Sequence, residues 1–393
     1  MTRAAVHRAA AVCAAAGLLG ASAAPSALAA AHKASGPPIV IGLASPLTGS
    51  EASYGQSNLK AVLLAAAQVN AKGGVLGRPI KILQWDTKGD PATGVAGANY
   101  FVTQNVTAVI GFFNSSISIP ASAVLHRAGI PMVSAASTNP KLTEQGFKNV
   151  FRVCGTDNFQ GTDQALYLYK VLHVKTAVAL NDEEVYGEGV SQYFQQEFKK
   201  LGGKILLSEG VSANQTDFSS LLTQIKALHP GAVEFGGFYT AAGLMVKQAA
   251  ALGLKTIWMQ DDGTIGPEYT QIGGKATVGT YLSSEPAPQN LASARTFVAQ
   301  YVAKYHSQPT EFAGYYYDAL MLIVHAIQVA KGTDHAAVIA ALAKTKNFPG
   351  VTGPITFNAQ GNNVTATYLI FKVLPNLSQV PVWNPVTGRS LPA

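Results

Sequence analysis

The sequence predicts an α/β protein built from two doubly wound, parallel sheets. Short, mainly apolar strands alternate with helices whose apolar residues recur at helical spacing. The alternation runs through residues 39–133, breaks near Phe151-Arg152-Val153, and runs again through residues 158–260. Repeated βαβ units form parallel sheets with helices on both faces. Since no Pro-, Gly- or Ser-rich linker separates the two runs, we expect two closely packed lobes.

The first run contains four predicted strands and three predicted helices. The strands are residues 39–43, 79–86, 106–112 and 130–133. The helices are residues 91–104, residues 116–128, and a segment in which Leu59, Val62, Leu63, Ala66 and Val69 precede the stop signal Lys72-Gly73-Gly74. The stretch 106–110 is short, β-branched and uncharged, which is typical of a buried strand.

The second run repeats the pattern, and a helical tail follows it. Its strands are residues 175–181, 204–208, 232–237 and 256–260, and its helices are residues 158–172, 187–201, 217–228 and 240–251. Later helices are predicted near residues 290–305, 314–331 and 335–345. A hairpin-like pair, residues 354–358 and 365–374, is predicted around Gln360-Gly361-Asn362-Asn363.

Composition indicates an exported globular protein. Of the 393 residues, 48% are hydrophobic and 12% are charged, which excludes a disordered chain. Residues 1–29 resemble a signal peptide: Arg3 and Arg8 precede an Ala-rich stretch, and Ala27-Leu28-Ala29 matches a cleavage site. Removing these two arginines lowers the net charge from +7 to +5, because 7 − 2 = 5. Because the chain carries a predicted signal peptide, we expect a periplasmic location.

Several kinds of site are not expected in this chain. A thin basic excess with no basic stripe argues against nucleic-acid binding. After cleavage Cys154 is the one remaining cysteine, so no intramolecular disulfide is expected, and the scattered histidines do not suggest zinc. The sequence has no Gly-x-Ser-x-Gly elbow, no P-loop and no Gly-x-Gly-x-x-Gly after a strand. We expect neither an enzyme nor a cofactor.

The residues that follow the predicted strands indicate a ligand site, because ligands of parallel sheets bind beyond the carboxyl ends of strands. The first run offers small and hydroxyl-bearing residues there, which suit a carboxylate at a helix N-terminus. The second run offers aromatic rings and carboxylates, which suit an ammonium group. The positions are Tyr54, Asn114, Ser115, Ala136 and Thr138 in the first run and Tyr186, Phe238 and Asp262 in the second. An amino acid satisfies both ends.

Each of these positions also has a purely structural interpretation. Ser115 and Ser116 are common helix caps, and Thr138 before Asn139-Pro140 is a common turn opening. The three aromatic residues Tyr54, Tyr186 and Phe238 are compatible with half-buried surface rings, and Asp262 with a solvated turn. The argument for a site rests on all of these residues falling at one side of the predicted sheets.

In combination, these segments resemble the leucine/isoleucine/valine-binding proteins, which are substrate-binding components of ABC importers with the type I periplasmic-binding fold. The resemblance extends over residues 39–374 and is carried by IGLASPLTG, AAAQVNAKGGVLGRPI, VIGFFNSSISIPAS, VSAASTNPKLT, YGEG and the segment from GGF to QAAALGLKT. The resemblance implies two lobes joined by a three-strand hinge. The first comprises residues 37–157 and 285–365, and the second residues 158–284 and 366–393.

The resemblance also assigns roles to individual residues. It implies that Ser115, Thr138 and the backbone of Ala136 bind an α-carboxylate, and that Tyr54 covers the ligand. It places Tyr186 and Phe238 on the second lobe and Phe312 near the side-chain pocket. Asp262 stands where relatives carry a glutamate for the ammonium group, and Asn114 and Gly89 stand where some relatives carry cysteines. These departures leave the identity of the ligand open.

The function implied is capture of a branched-chain or related amino acid and its delivery to a membrane permease and ATPase, by a monomer without cofactor or metal. The alternatives are the same fold binding an aromatic carboxylate or a small amide, a ligand sensor rather than a transport component, and, third, an enzyme.

Overall fold

A computed structural model describes residues 34–391, and the predicted signal peptide lies outside the described residues. Strands and helices alternate through most of this range. The first five strands are β1 (Ile39–Ser45), β2 (Ile80–Asp86), β3 (Ala108–Ile110), β4 (Met132–Ser134) and β5 (Val150–Arg152). They form one parallel sheet in the order β2-β1-β3-β4-β5.

A second sheet has eight strands in the described residues. Its members are β6 (Thr176–Asn181), β7 (Lys204–Gly210), β8 (Ala232–Gly236), β9 (Ile257–Gln260), β10 (Tyr281–Ser284), β13 (Leu369–Val373), β14 (Gln379–Asn384) and β15 (Arg389–Ser390), while β11 (Phe348–Gly350) and β12 (Gly353–Ile355) pair separately. Strands β7, β6, β8, β9 and β10 are parallel neighbours in that order. The last three strands are antiparallel additions at the edge beyond β10.

Twelve α-helices cover the sheets or connect them in the described range. They are α1 (Ala52–Ala71), α2 (Pro91–Thr103), α3 (Ser115–Arg127), α4 (Lys141–Glu144), α5 (Asp157–Leu166), α6 (Val185–Lys200), α7 (Ser219–Leu228), α8 (Tyr239–Ala251), α9 (Pro267–Gly273), α10 (Arg295–Tyr305), α11 (Ala313–Ala330) and α12 (His335–Ala343). Local side-chain chemistry sets the start of helix α2: the Asp90 side chain accepts a hydrogen bond from the backbone N–H of Thr93 at 2.7 Å, and Pro91 lies in the first turn. None of the helices in residues 34–391 combines the length and hydropathy that crossing a membrane requires.

Both faces of the central strands of each sheet are buried, as their apolar runs predict. On the first sheet, Ile41 and Ile110 belong to the apolar cluster that includes α1 and α11, whereas Val109 packs with α2 and α3. On the second sheet, Val233 packs with α7 and α8, whereas Ala179 packs with Phe194 and Phe198 of α6. The α/β class and the doubly wound parallel sheets predicted from the sequence are confirmed.

The predicted hairpin is wrong. Residues 354–358 do not pair as a strand with residues 365–374: β12 pairs with β11, and β13 lies between β10 and β14. An isolated bridge joins Phe357 to Asn363 of the turn, and Thr365 donates its hydroxyl to the carbonyl of Pro354, but no strand ladder forms between the two segments. The turn signal Gln360-Gly361-Asn362-Asn363 is real, but β13 buries Ile370 and Phe371 in the larger sheet. Tertiary burial therefore outweighs the local turn.

Candidate functional site

The loop after β3 places the start of α3 at the carboxyl end of the first sheet. Gly111 has φ 133°, and a Cβ there would lie 2.5 Å from the carbonyl oxygen of Ala44 on the neighbouring strand, so this turn requires glycine. Ser137, after β4, donates from Oγ to the carbonyls of Phe112 and Phe113, at 2.9 Å each. The two strand-end loops of the first sheet are thereby held side by side.

A small buried cavity lies where these loops meet the strand ends of the second sheet. Its volume is about 10 Å³, which is about the space of one water molecule. Its lining comes from segments far apart in sequence: Phe113, Asn114, Ser115, Ala136, Tyr186, Phe238, Asp262, Gly263 and Phe312. Seven of the nine residues predicted for the site lie in this lining; Tyr54 and Thr138 do not.

The first-sheet end of the cavity presents hydrogen-bond donors at Ser115 and the start of α3. Ser115 is the first residue of α3 and is 1% exposed, and its Oγ accepts from the backbone N–H of Asn139 at 3.3 Å. The hydroxyl proton of Ser115 therefore remains free to donate. The N–H groups of Ser115 and Ser116 have no acceptor among the described residues, and the helix dipole adds positive potential. This end suits an anion.

The second-sheet end of the cavity carries a carboxylate. Asp262 follows β9 in a short turn and is 2% exposed. Tyr186 donates its hydroxyl to Asp262 Oδ1 and accepts from the N–H of Gly263 at 3.2 Å. The other oxygen, Oδ2, accepts no hydrogen bond from the described residues.

Burial decides which acid at this end is charged at neutral pH. Burial raises the pKa of Asp262 to about 6. Burial, with repulsion from Asp262, raises the pKa of Asp261, Glu285 and Glu311 well above the ordinary range. Asp262 is therefore the member of this group that is ionised at pH 7, and its Oδ2 suits a cation.

Aromatic rings form the wall between the two ends. Phe113 meets Phe312 edge-on at a centroid distance of 5.2 Å, and Phe238 lies 6.2 Å from Phe113 and 5.6 Å from Tyr186. Such rings bury aliphatic groups well. The site thus combines a donor end, an acidic end and an apolar wall.

The sequence and the fold match a known family. The sequence profile of the periplasmic binding proteins matches residues 38–376, which is most of the chain. The chain belongs to the periplasmic binding protein family. The family predicted from the sequence is confirmed.

Individual periplasmic binding proteins are similar in sequence to this chain over most of their length. The Leu/Ile/Val-binding protein homolog 2 of Brucella abortus is 34% identical over 337 residues, covering 85% of this chain and 90% of that protein. A protein of Pseudomonas aeruginosa named amino acid binding protein is 33% identical over the same shares.

Solved structures of the family have the same fold. The leucine-binding protein LivK of Thermotoga maritima has a TM-score of 0.83 at 30% identity, covering 89% of this chain and 99% of that one. LivJ of Streptococcus pneumoniae, a branched-chain amino acid transporter substrate-binding protein solved with isoleucine, has a TM-score of 0.81 at 31% identity, covering 88% and 99%.

Two predicted residues of this periplasmic binding protein lie behind the cavity. The ring of Tyr54 stacks on Phe113 at 5.4 Å, and its hydroxyl donates to the carbonyl of Ile265 at 2.5 Å. Thr138 is 1% exposed, and its hydroxyl makes no hydrogen bond with the described residues; burial raises the pKa of the nearby Asp157 to about 7. Ligand contact by these two side chains stays a prediction.

The sequence argument missed three residues that shape the site. Phe113 directly precedes the predicted Asn114 and Ser115, so its place in the same strand-end loop was the available signal. Glu51 accepts from Asn114 Nδ2 at 2.8 Å. The fully buried Arg152 donates to the carbonyls of Ser137 and Asn139, at 3.0 and 2.8 Å, and so holds the loop after β4.

Proposed function

We propose that this periplasmic binding protein is the extracytoplasmic solute-binding component of an ABC importer and binds an α-amino acid, branched-chain or related. The observation that carries the proposal is one cavity with a donor end at Ser115 and an acceptor end at Asp262. An α-amino acid presents a carboxylate and an ammonium group on one carbon, and the two ends complement these charges. The isoleucine held by LivJ supports the same ligand class.

The proposed site lies between two lobes. The first lobe comprises residues 37–157 and 285–365 and the second residues 158–284 and 366–393, each containing one of the large sheets. Hydrogen bonds join these segments: Tyr54 donates to Ile265 O at 2.5 Å, Asn139 Nδ2 donates to Val185 O at 2.8 Å, and Tyr239 donates to Ser50 O. Because an amino acid is far larger than a 10 Å³ cavity, ligand entry requires the lobes to separate.

The proposed cycle has three stages. An open form receives the ligand through the donor end of the first lobe, which contains Ser115 and the start of α3. Closure then brings Tyr186, Phe238 and Asp262 onto it, and the closed form is what a membrane permease with its ATPase recognises. The ligand leaves unchanged. Although the site holds a carboxylate and a hydroxyl, we propose that the protein acts as a receptor and not as an enzyme. We place the protein in the periplasm as a monomer.

A thermal-shift screen tests the proposal. The full chain without residues 1–29 is heated with each of the 20 amino acids and with small aromatic acids at millimolar concentration. A ligand that binds the folded state alone raises the midpoint by mass action. The proposal expects a rise with one or more amino acids. A rise with an aromatic acid and with no amino acid would overturn it.

A further inference from the structure

Asn114 occupies an unusual place in the cavity. It is the residue before the first turn of α3, where a side chain normally caps the helix, but its side chain makes no capping hydrogen bond. Instead its Nδ2 donates to Glu51 Oε2 at 2.8 Å. Asn114 is 6% exposed and lines the cavity, and its Oδ1 accepts no hydrogen bond from any described residue.

Glu51 fixes the orientation of this amide. Glu51 is 9% exposed, and burial raises its pKa to about 7. Above that pH the carboxylate can only accept hydrogen bonds, so the amide must turn its Nδ2 towards Glu51. The acceptor Oδ1 is then the polar atom left on the cavity side.

The cavity consequently contains two acceptors in need of donors. One is Asp262 Oδ2, which the ammonium group of the proposed ligand satisfies. The other is Asn114 Oδ1, which the α-carboxylate cannot satisfy because a carboxylate has no donor. An apolar side chain would leave this buried acceptor unpaired, which is unfavourable.

We propose that the ligand is an α-amino acid whose side chain carries an O–H or N–H donor, and that Asn114 Oδ1 selects it by accepting that hydrogen bond. This inference rests on the proposed function that the ligand is an α-amino acid, and within that class it favours a related polar side chain over those of leucine, isoleucine and valine. The aliphatic part of the ligand side chain packs against Phe113, Phe238 and Phe312. Its polar end donates a hydrogen bond to Asn114. A short side chain that combines both parts, a hydroxyl or a primary amide, fits these surroundings.

Isosteric ligand pairs test the proposal on the folded protein. Calorimetry at pH 8 compares threonine with valine, asparagine with leucine, and glutamine with methionine, since each pair differs mainly in hydrogen-bonding capacity. We expect the donor-bearing member of at least one pair to bind about tenfold or more tightly, because sites built around a buried polar partner discriminate strongly. If no pair reaches this ratio, the proposal is overturned.

Variants then assign the preference to Asn114. Asn114→Leu is expected to reduce the preferred pair's ratio to near one, because the acceptor is gone while the volume is similar. Ser115→Ala is the matched control: it weakens both members equally and keeps the ratio. If Asn114→Leu leaves the ratio unchanged, Asn114 does not select the ligand.

Glu51 offers a second route should Asn114→Leu fold poorly. Glu51→Gln keeps an oxygen that accepts from Nδ2, so the ratio is expected to persist. Glu51→Leu frees the amide to rotate and present a donor, so the ratio is expected to fall. Equal ratios in these two variants would contradict the role of Glu51.

The calorimetry separates this inference from the function on which it rests. If amino acids bind and the apolar members bind as well or better, only the selectivity of Asn114 is lost. If none of the amino acids binds, the proposed function and this inference are both overturned.

Discussion

Ser115 and Ser116 are neighbours in sequence but differ in burial: Ser115 lines the cavity, whereas Ser116 is half-buried outside it. We predict that Ser115→Ala weakens amino acid binding by about 1 to 3 kcal/mol, because a charged acceptor loses a donor. Titration calorimetry measures the loss, and the unfolding midpoint without ligand should be almost unchanged. Ser116→Ala is the control and should bind as the wild type does. Equal affinities for all three proteins would mean that Ser115 has only a structural role at the start of α3.

Asp262 makes binding depend on pH. Its pKa of about 6 lies above the ordinary 3.8, so the folded protein protonates this carboxyl as pH falls through 6. A protonated carboxyl loses its attraction for an ammonium group, so we predict about tenfold weaker binding at pH 5 than at pH 8. Asp262→Asn should bind weakly at both pH values and remove most of this dependence. Unchanged affinity in Asp262→Asn would indicate a ligand without an ammonium group.

The residues of the site divide into those that a strand-end argument finds and those that it cannot find. Ser115 and Asp262 follow predicted strands directly, so their convergence follows from the geometry of parallel sheets. The pairing of Glu51 with Asn114 spans 63 positions, and no local pattern encodes it. Arg152 ends β5 and is fully buried, whereas arginine normally predicts exposure. Long-range contacts of this kind need coordinates.

At the scale of elements, strand prediction succeeds where burial and period agree. The uncharged parallel strands of both sheets, such as β3 and β6, are found close to their predicted positions. The antiparallel strands β13 and β14 are paired wrongly or missed, because β14 contains polar residues and Pro381 and does not resemble a buried run. These antiparallel strands carry a weaker pattern than the buried parallel strands, so the sequence signal is weakest there.

Strand β8 contains a buried acid that makes stability depend on pH. Glu234 is 0% exposed and accepts only from Ser191 Oγ, at 3.0 Å, within the described structure. Burial raises its pKa well above 4.5, so folding binds a proton more tightly and stability falls as pH rises above 4.5. We predict that Glu234→Gln raises the thermal midpoint at pH 8 by about 2 to 4 °C and gives no gain at pH 4.5.

The control for this strand is Glu209→Gln, which changes an exposed acid on β7 of the same sheet. It should leave the midpoint unchanged at both pH values. A gain for Glu234→Gln that is equal at pH 8 and pH 4.5 would contradict a titration effect.

Helix α1 contributes a hydrogen bond between the proposed lobes through Tyr54. We predict that Tyr54→Phe weakens ligand binding about three- to tenfold, because the closed form loses a hydrogen bond to Ile265 O while the ring packing persists. Tyr305→Phe is the control, since that hydroxyl has no partner among residues 34–391. If Tyr54→Phe binds as tightly as the wild type, Tyr54 acts through its ring alone.

For the whole molecule, the proposed hinge predicts a change of shape. In the proposed cycle the narrow cavity belongs to the closed form, and the ligand enters a more open one. We predict that small-angle X-ray scattering gives a smaller radius of gyration with saturating ligand than without it. The Asp262→Asn variant should need more ligand for the same change. An identical scattering profile in both conditions would argue against lobe movement.

The buried hydrogen bonds that Arg152 donates have an evolutionary consequence. Arg152 holds the loop after β4 and also donates to Asn362 Oδ1 and Thr143 Oγ1, all from behind the cavity. The positions proposed to contact a ligand, such as Asn114, take no part in this support. After gene duplication, changes at these positions can therefore alter the proposed ligand preference while the hydrogen bonds of Arg152 remain intact.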